Sequence, residues 1–253
     1  MIKILRYIIL LLILSVTLSY ASQVDELMTE ANNAYLKKNY TAAIADYEKI
    51  INNGYISPEL YYNLGNAYFR VGKLGYAILY YEKALKLAPD DEDIIYNLKI
   101  ANARIVDKIK EVPQLFLIKW WNIIITSVSV SGWLTLVLVF YLLLLFSIGL
   151  FFLSKKIKLQ REAFLTGIIS LALLFLSVVF LYSRINKETS SQYGVLLEPS
   201  ETVKVSPDPK GEDAFVIHEG TKFKIEDELE NWAKIKLADG KVGWVNESVI
   251  GKI

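Results

Sequence analysis

The sequence contains no cysteine and only one histidine, His218, among its 253 residues. Without cysteine the chain can form no disulfide, thiolate metal site or cysteine nucleophile. His218 has no second histidine to join it, so a histidine metal site or a catalytic dyad lacks its components. We therefore expect no metal, no cofactor, no small-molecule substrate and no enzymatic activity.

The chain also lacks an excess of charge of either sign, since 28 Lys and Arg residues stand against 27 Asp and Glu residues, a formal net charge of +1. Neither polar part of the chain has a basic stripe of the kind that binds nucleic acid, so we expect no such partner. The chain is nevertheless 53% hydrophobic, with a mean hydropathy of +0.33. Such a chain is too apolar for one soluble domain, which predicts membrane spans and a lipid bilayer as partner.

The first 21 residues have the composition of a secretory signal peptide. Lys3 and Arg6 precede an apolar run, and Ser19-Tyr20-Ala21 forms an A-x-A-like cleavage site, with cleavage after Ala21. An uncleaved anchor helix is the alternative, although the apolar core is short for a membrane span.

Two uncharged stretches predict a transmembrane hairpin. The first stretch, residues 120–154, is longer than one span and shorter than two. We assign residues 113–132 to an interfacial segment and residues 133–153 to the first span, and we expect the second span at 163–183. The intervening loop, 154–162, contains four basic residues, so the positive-inside rule places it in the cytoplasm. The polar parts on both sides of the hairpin should then lie outside the cytoplasm.

Residues 58–89 form one helix-turn-helix unit with small and large residues at fixed positions. These are Tyr61, Leu64, Gly65, Tyr68, Ala77, Tyr81, Ala84 and Pro89. The spacing matches the tetratricopeptide pattern if an aromatic residue replaces its Trp and its Phe. Gly65 and Ala77 should lie where the two helices cross, so a large side chain at Gly65 should break the packing.

A copy of this unit lies 34 residues upstream, and a partial copy follows it. In the upstream copy Ala31 takes the place of the glycine, and the other recurring residues are Asn32, Ala43, Ile44, Tyr47, Glu48 and Lys49. We divide residues 22–112 into repeats at about 24–56 and 57–90 and a capping helix at 91–111. The apolar residues of the capping helix recur every three or four positions, as one helix face requires: Ile94, Leu98, Ala101, Ile105 and Ile109.

In tetratricopeptide proteins, which this segment resembles, the first helix of each repeat lines a concave groove that binds a peptide. The resemblance implies these groove residues: Asn32, Tyr35, Tyr62, Asn66, Phe69 and Tyr96. The alternative is that the aromatic side chains only pack between repeats. The carboxylate-clamp subtype of the family is not expected, because the three cations of its Lys, Asn, Asn, Lys, Arg set are missing. The corresponding residues here are Met28, Asn32, Asn63, Asp93 and Asn97.

After a polar linker at 184–192, residues 193–253 show five or six short alternating runs separated by turns, which predicts a small barrel. The segment resembles bacterial SH3-like domains through four stretches: Val203 to Pro207, His218 to Phe223, Asn231 to Ile235 and Asp239 to Val245. The resemblance implies an exposed aromatic patch, Trp232 and Trp244, that binds a peptide. A structural cross-strand pair is the alternative.

The order of these segments resembles the BatE-type family of Bacteroides aerotolerance proteins. The resemblance implies the inner membrane of a Gram-negative bacterium, a link to oxidative-stress tolerance, and von Willebrand factor A-type Bat membrane proteins and a MoxR-family ATPase as neighbours.

We interpret the chain as a multidomain membrane protein with an all-α tetratricopeptide array, a two-helix transmembrane hairpin and an all-β SH3-like barrel. Its hypothetical function is that of a non-enzymatic scaffold whose periplasmic repeats and barrel bind protein partners. The alternative is a cell-wall sensor or tether that binds peptidoglycan peptide through the barrel.

Overall fold

The computed structural model describes residues 24–110, 112–113, 115–190 and 192–253, and only the backbone of residues 188–190. The signal peptide expected at residues 1–21 lies outside these ranges. The chain forms two compact units. One unit combines the N-terminal helices with the C-terminal sheet, and the other consists of residues 112–191.

Five helices form the array of the first unit. They are α1 (24–36), α2 (Tyr40–Asn52), α3 (Pro58–Arg70), α4 (Leu74–Leu87) and α5 (Glu92–Arg104). Side-chain oxygens of Asn39, Ser57 and Asp91 accept hydrogen bonds from the first turns of α2, α3 and α5. These caps explain why three of the helices begin where they do.

The helix crossing predicted at Gly65 is confirmed. A Cβ atom added to Gly65 would lie 2.7 Å from Cδ1 of Tyr81 and 3.3 Å from the carbonyl oxygen of Ala77. Tyr81 is only 1% exposed, so its ring has little room to move. The absence of a side chain at Gly65 therefore lets α3 and α4 pack closely.

Helix α5 ends at Arg104, seven residues before the end predicted for the capping helix at 91–111. Ile94, Leu98 and Ala101 are buried as expected, but the connecting segment 105–110 is not helical. Its two isoleucines pack elsewhere, Ile105 against the core of the array and Ile109 against the core of the C-terminal sheet. The apolar spacing was detected correctly, but the helical interpretation of residues 105–110 was wrong because contacts with the sheet determine the path of this segment.

Seven antiparallel strands form the C-terminal sheet, in the order β3-β2-β6-β5-β4-β1-β7. They are β1 (Gln192–Leu196), β2 (Ser200–Lys204), β3 (Asp213–His218), β4 (Lys222–Leu229), β5 (Trp232–Lys236), β6 (Val242–Asn246) and β7 (Ile250–Lys252). A single 3₁₀ turn, Glu247–Val249, precedes the last strand. The sheet is consistent with the predicted SH3-like domain. The core includes Ala233, Ile235 and Leu237, the inward side of the alternation in and just after β5.

Two details of the C-terminal prediction were wrong. The short strand β7 was missed, and it pairs with β1. Residues 184–190, predicted as part of a polar linker, continue a helix to Ser190. The segment contains no glycine or proline to end that helix once the apolar run is over.

The second unit contains α6 (Phe116–Thr126), α7 (Val130–Leu153) and α8 (Ile157–Ser190). Helices α7 and α8 are long and apolar enough to cross a membrane, and few of their residues are buried. The turn between them is shorter than the predicted loop at 154–162, because α8 begins at Ile157 and includes Lys158 and Arg161. Their exposed apolar surface is compatible with membrane spans.

Small residues line the contact between α7 and α8. Ser147, Ser170 and Ser177 are each 3% exposed, and a Cβ added to Gly167 would lie 3.6 Å from Cβ of Ser147. Such residues allow helices to approach closely in lipid, where burial of apolar side chains provides little driving force. Close packing thus makes the hairpin one compact unit.

Candidate functional site

A hydrogen-bonded set of polar side chains recurs in both repeats. The Oδ1 atom of Asn32 accepts hydrogen bonds from the hydroxyl of Tyr47, at 2.6 Å, and from the amide of Asn63, at 3.3 Å. The same two bonds recur 34 residues later, at 2.7 and 2.9 Å, among Asn66, Tyr81 and Asn97. Each set ties the first helix of a repeat to its own second helix and to the first helix that follows.

The Oδ1 atoms of Asn32 and Asn66 therefore hold the repeats together, although both residues were predicted to face a ligand. Burial raises the pKa of Tyr47 to about 12 and raises the pKa of Tyr81 as well. Tyrosine hydroxyls are protonated near neutral pH even at their ordinary pKa of 10.0, and the raised pKa keeps these two hydroxyls as hydrogen-bond donors at alkaline pH as well. The asparagine and tyrosine side chains of these two sets therefore contribute to packing between the helices.

Two adjoining cavities form a groove along the first helices. The larger has a volume of about 400 Å³ and is lined by Tyr35, Tyr62, Asn66, Phe69, Arg70, Tyr81, Asn97, Ile100 and Arg104. The smaller has a volume of about 280 Å³ and is lined by Asn32, Tyr35, Leu36, Tyr47 and Asn63. Because Tyr35 lines both cavities, we treat them as one surface, the concave groove.

Five of the six predicted groove residues line the concave groove, and Tyr96 does not. Tyr96 lies on α5 and is 64% exposed. It occupies the same position in its helix as Tyr62 in α3, which lines the larger cavity. In the described part of the chain, α5 is followed by the non-helical connecting segment 105–110 and not by the second helix of a repeat. Tyr96 therefore lacks the neighbouring helix that would form a groove around it.

Sequence reasoning missed two arginines of the concave groove. Leu36, Arg70 and Arg104 are the last residues of α1, α3 and α5 and are spaced 34 residues apart, so they occupy one position of the repeat. The Nε atom of Arg70 donates to the hydroxyl of Tyr35 at 3.4 Å. The guanidinium of Arg104 lies 4.4 Å from the centroid of the Phe69 ring, at cation–π distance. The 34-residue spacing was the signal that could have found them.

The two tryptophans of the SH3-like sheet share its outer face. In β5 and β6, Trp232 is paired with Asn246 and Lys234 with Trp244. The indoles are therefore diagonal neighbours, and both are half-buried, whereas Ala233 between them faces the core. The two indoles thus lie on one face of the sheet, and the peptide-binding patch expected there stays a prediction.

The C-terminal sheet packs directly on the helical array. Helix α4 has no side-chain cap of its own, but Oε1 of Glu219 accepts a hydrogen bond from the Gly75 N–H at 2.8 Å. A carboxylate at this position suits the positive end of a helix. A Cβ on Gly75 would lie 2.5 Å from the carbonyl oxygen of Leu196. The sheet therefore supplies the helix cap and lies against the glycine backbone.

Asp107 in the connecting segment makes three further hydrogen bonds to the sheet. Its Oδ2 atom accepts from the His218 N–H and from the Thr221 hydroxyl, both at 2.7 Å, and its Oδ1 atom lies 2.9 Å from Nδ1 of His218. Burial alone would raise the pKa of Asp107, but the hydrogen bonds from Thr221 and His218 together lower it below its usual range. The single histidine therefore contributes to docking between the two modules.

Apolar contacts complete this interface. Val195 of β1 is fully buried in the core of the array. Cβ atoms added to Gly220 and Gly251 would lie 2.6 Å from Cγ2 of Ile105 and 2.5 Å from Cδ2 of Leu79. Residues of the sheet therefore contribute to the hydrophobic core of the array and pack against α4, while the sheet keeps a core of its own. Among the described residues, no group of three or more His, Asp or Glu side chains is arranged to hold a metal ion.

Comparison with known families identifies two modules. Residues 58–91 match the model of the tetratricopeptide repeat, and residues 202–250 match that of the bacterial SH3 domain. The chain contains both modules. A search of curated proteins found no match. The two modules suggest protein–protein interaction or peptidoglycan binding. The first repeat lies outside the matched range, but its hydrogen bonds repeat those of the second.

Proposed function

We propose that the chain is a non-enzymatic, membrane-anchored scaffold whose concave groove binds a peptide segment of a partner protein. The observation that supports this most is the groove itself, which runs over both repeats and exposes aromatic, amide and guanidinium groups side by side. Such a surface offers apolar contact and hydrogen bonds to an extended peptide. The only histidine is engaged with Asp107, which is consistent with a role in docking and not in catalysis.

The proposal includes a location. Helices α7 and α8 would span the inner membrane, and the array and the SH3-like domain would lie together in the periplasm. The basic residues between the spans favour this orientation, because such loops stay in the cytoplasm. The burial of Val195 of the sheet in the core of the array is a second argument, since two modules packed on each other must lie on the same side of a membrane.

We further propose, from the resemblance to BatE-type proteins, that the partner belongs to a Bat aerotolerance complex. Von Willebrand factor A-type Bat membrane proteins are the candidates. The order of the segments supports this part of the proposal. It concerns only the identity of the partner, and the proposed binding site remains the concave groove.

Binding is tested by co-purification from membranes. The wild-type chain should recover a partner protein, and the double variant Tyr62→Ala, Phe69→Ala should lose it, because these side chains form much of the apolar lining. Tyr96→Ala is the matched control, since this tyrosine lies outside the lining. Recovery of the same partner with the double variant would refute the proposed site.

Orientation is tested by single-cysteine labelling, which has no background because the chain contains no native cysteine. Cysteines replacing Asn53 and Asp239 should react with a membrane-impermeant maleimide added to intact spheroplasts. A cysteine at Lys156 should react only after lysis. Labelling of Lys156→Cys in intact spheroplasts would contradict the orientation.

The diagonal pair of tryptophans supports a second candidate function. In this alternative Trp232 and Trp244 bind peptidoglycan peptide, and the chain is a cell-wall sensor or tether. The test uses the full chain, because Val195 of the sheet is buried in the core of the array. Retention on purified sacculi that is lost in Trp232→Ala and Trp244→Ala, but not in Tyr62→Ala, would favour this function.

A further inference from the structure

The concave groove is positively charged at one end. Arg70 and Arg104 both line the larger cavity, and among the described residues that line it none is Asp or Glu. The remaining lining consists of tyrosine hydroxyls, two asparagine amides and apolar groups. An arginine is always charged near neutral pH and presents several N–H donors that match a carboxylate. The described lining of the larger cavity therefore contains two cations and no acidic side chain.

Both guanidinium groups are held by the groove and still exposed. The hydrogen bond from Arg70 to Tyr35 uses Nε, which leaves the terminal nitrogens of Arg70 as donors. The stacking of Arg104 on Phe69 involves the face of the guanidinium, so its N–H edge stays available. Such contacts limit the loss of side-chain freedom on binding. The two arginines are thus positioned in advance for an anion.

We infer that the concave groove binds an acidic peptide, in which Asp or Glu side chains of an extended segment contact Arg70 and Arg104. The inference rests on the proposed peptide-binding function and adds the chemical class of the partner. The groove continues past the arginines along Tyr35 into the smaller cavity, so an extended peptide can lie across both cavities. The two exposed arginines suit acidic side chains along an extended peptide better than the single carboxylate at the C-terminus of a peptide.

The test compares two pooled libraries of dodecapeptides, both N-acetylated and C-amidated. They have the same randomised aromatic and aliphatic positions, and three fixed positions are Glu in one library and Gln in the other. The full chain, immobilised in lipid nanodiscs, should retain the Glu library at least tenfold better at low salt. The preference should fall as salt is raised, because salt screens exposed charges.

Charge variants locate the effect. Arg70→Gln and Arg104→Gln should each bring recovery of the Glu library close to that of the Gln library, whereas Arg104→Lys should retain part of the preference. Lys99→Gln is the matched control, because it removes the same charge from an exposed position of α5 outside the lining. Equal recovery of both libraries by the wild type, or an equal effect of Lys99→Gln, would overturn the inference.

The outcomes separate the inference from the proposed function. If both libraries bind equally and Tyr62→Ala with Phe69→Ala abolishes binding, the groove binds peptides without charge selection, and only the inference fails. If neither library binds, the inference also fails, and co-purification from membranes decides on the proposed function. If binding requires a free C-terminal carboxylate, supplied in a third library without the amide, the groove recognises a chain terminus and the acidic side-chain assignment is wrong.

Discussion

Replacing Asp107 with alanine should loosen the C-terminal sheet from the helical array while leaving each module folded. The carboxylate accepts three hydrogen bonds from the sheet, and its side chain is only 17% exposed. Thr221 is 1% exposed, so its hydroxyl would lose its partner in a buried position. Hydrogen bonds to a charged group contribute about 1.5–3 kcal/mol each, and they are not additive. We therefore expect a loss of about 3–5 kcal/mol in docking.

Hydrogen exchange of the full chain in detergent micelles measures this loss. At about 1.4 kcal/mol per factor of ten, the amides of residues 218–222 should exchange at least one hundredfold faster in Asp107→Ala. The buried strands β4 and β5 should keep their protection. Asp90→Ala is the control, because Asp90 is an exposed acid of the array. Unchanged exchange at 218–222, or an equal change in the control, would refute the reasoning.

The pH dependence follows from the direction of the pKa shift. The folded state lowers the pKa of Asp107 below its ordinary value of 3.8, so the carboxylate contributes fully above that value and its contribution is lost as the pH falls through the folded pKa. The difference between wild type and Asp107→Ala, corrected for intrinsic exchange rates, should still be present at pH 5. It should shrink only below 3.8. A difference that vanished near pH 6 would mean that another group governs docking.

Three glycine-related predictions concern stability. Gly65→Val should destabilise the array by roughly 3 kcal/mol or more in urea unfolding, because the added side chain overlaps the Tyr81 ring. The control Ala103→Val, at an exposed position of α5, should cost under about 1 kcal/mol. Equal losses in the two variants would contradict the close helix crossing at Gly65. Gly75→Ala should raise the hydrogen-exchange rate of the amides of residues 218–222 while α4 stays protected, since the Cβ of the alanine would meet the Leu196 backbone. An unchanged exchange rate would mean that the interface can shift to accommodate the added methyl group. Lys38→Gly should raise the unfolding free energy by about 0.5 kcal/mol, because Lys38 has a φ of 61°, which glycine adopts without strain. The control Lys49→Gly, inside α2, should lower the unfolding free energy by about 1 kcal/mol. A lower unfolding free energy in Lys38→Gly would contradict the prediction.

Local patterns in the sequence predicted each module separately. The 34-residue recurrence identified the repeats and placed small residues at the crossing near Gly65, because every repeat must solve the same packing problem with its neighbour. Alternation in β5 assigned Ala233 and Ile235 to the core, because successive side chains of a strand point to opposite faces. Uncharged runs of sufficient length identified α7 and α8. In each case the relevant contacts lie within one or two neighbouring elements.

Only the tertiary structure decided how the modules combine. Ile105 and Ile109 have helical spacing, yet they lie on a non-helical segment because the sheet offers them apolar contacts. Glu219 caps a helix that begins 145 residues earlier in the chain, at Leu74, and His218 meets Asp107 across 111 residues. The spacing of apolar residues records which side of an element is buried, but it contains no information about which distant surface buries it. Periodicity therefore determined the parts of this protein, and long-range packing determined their assembly.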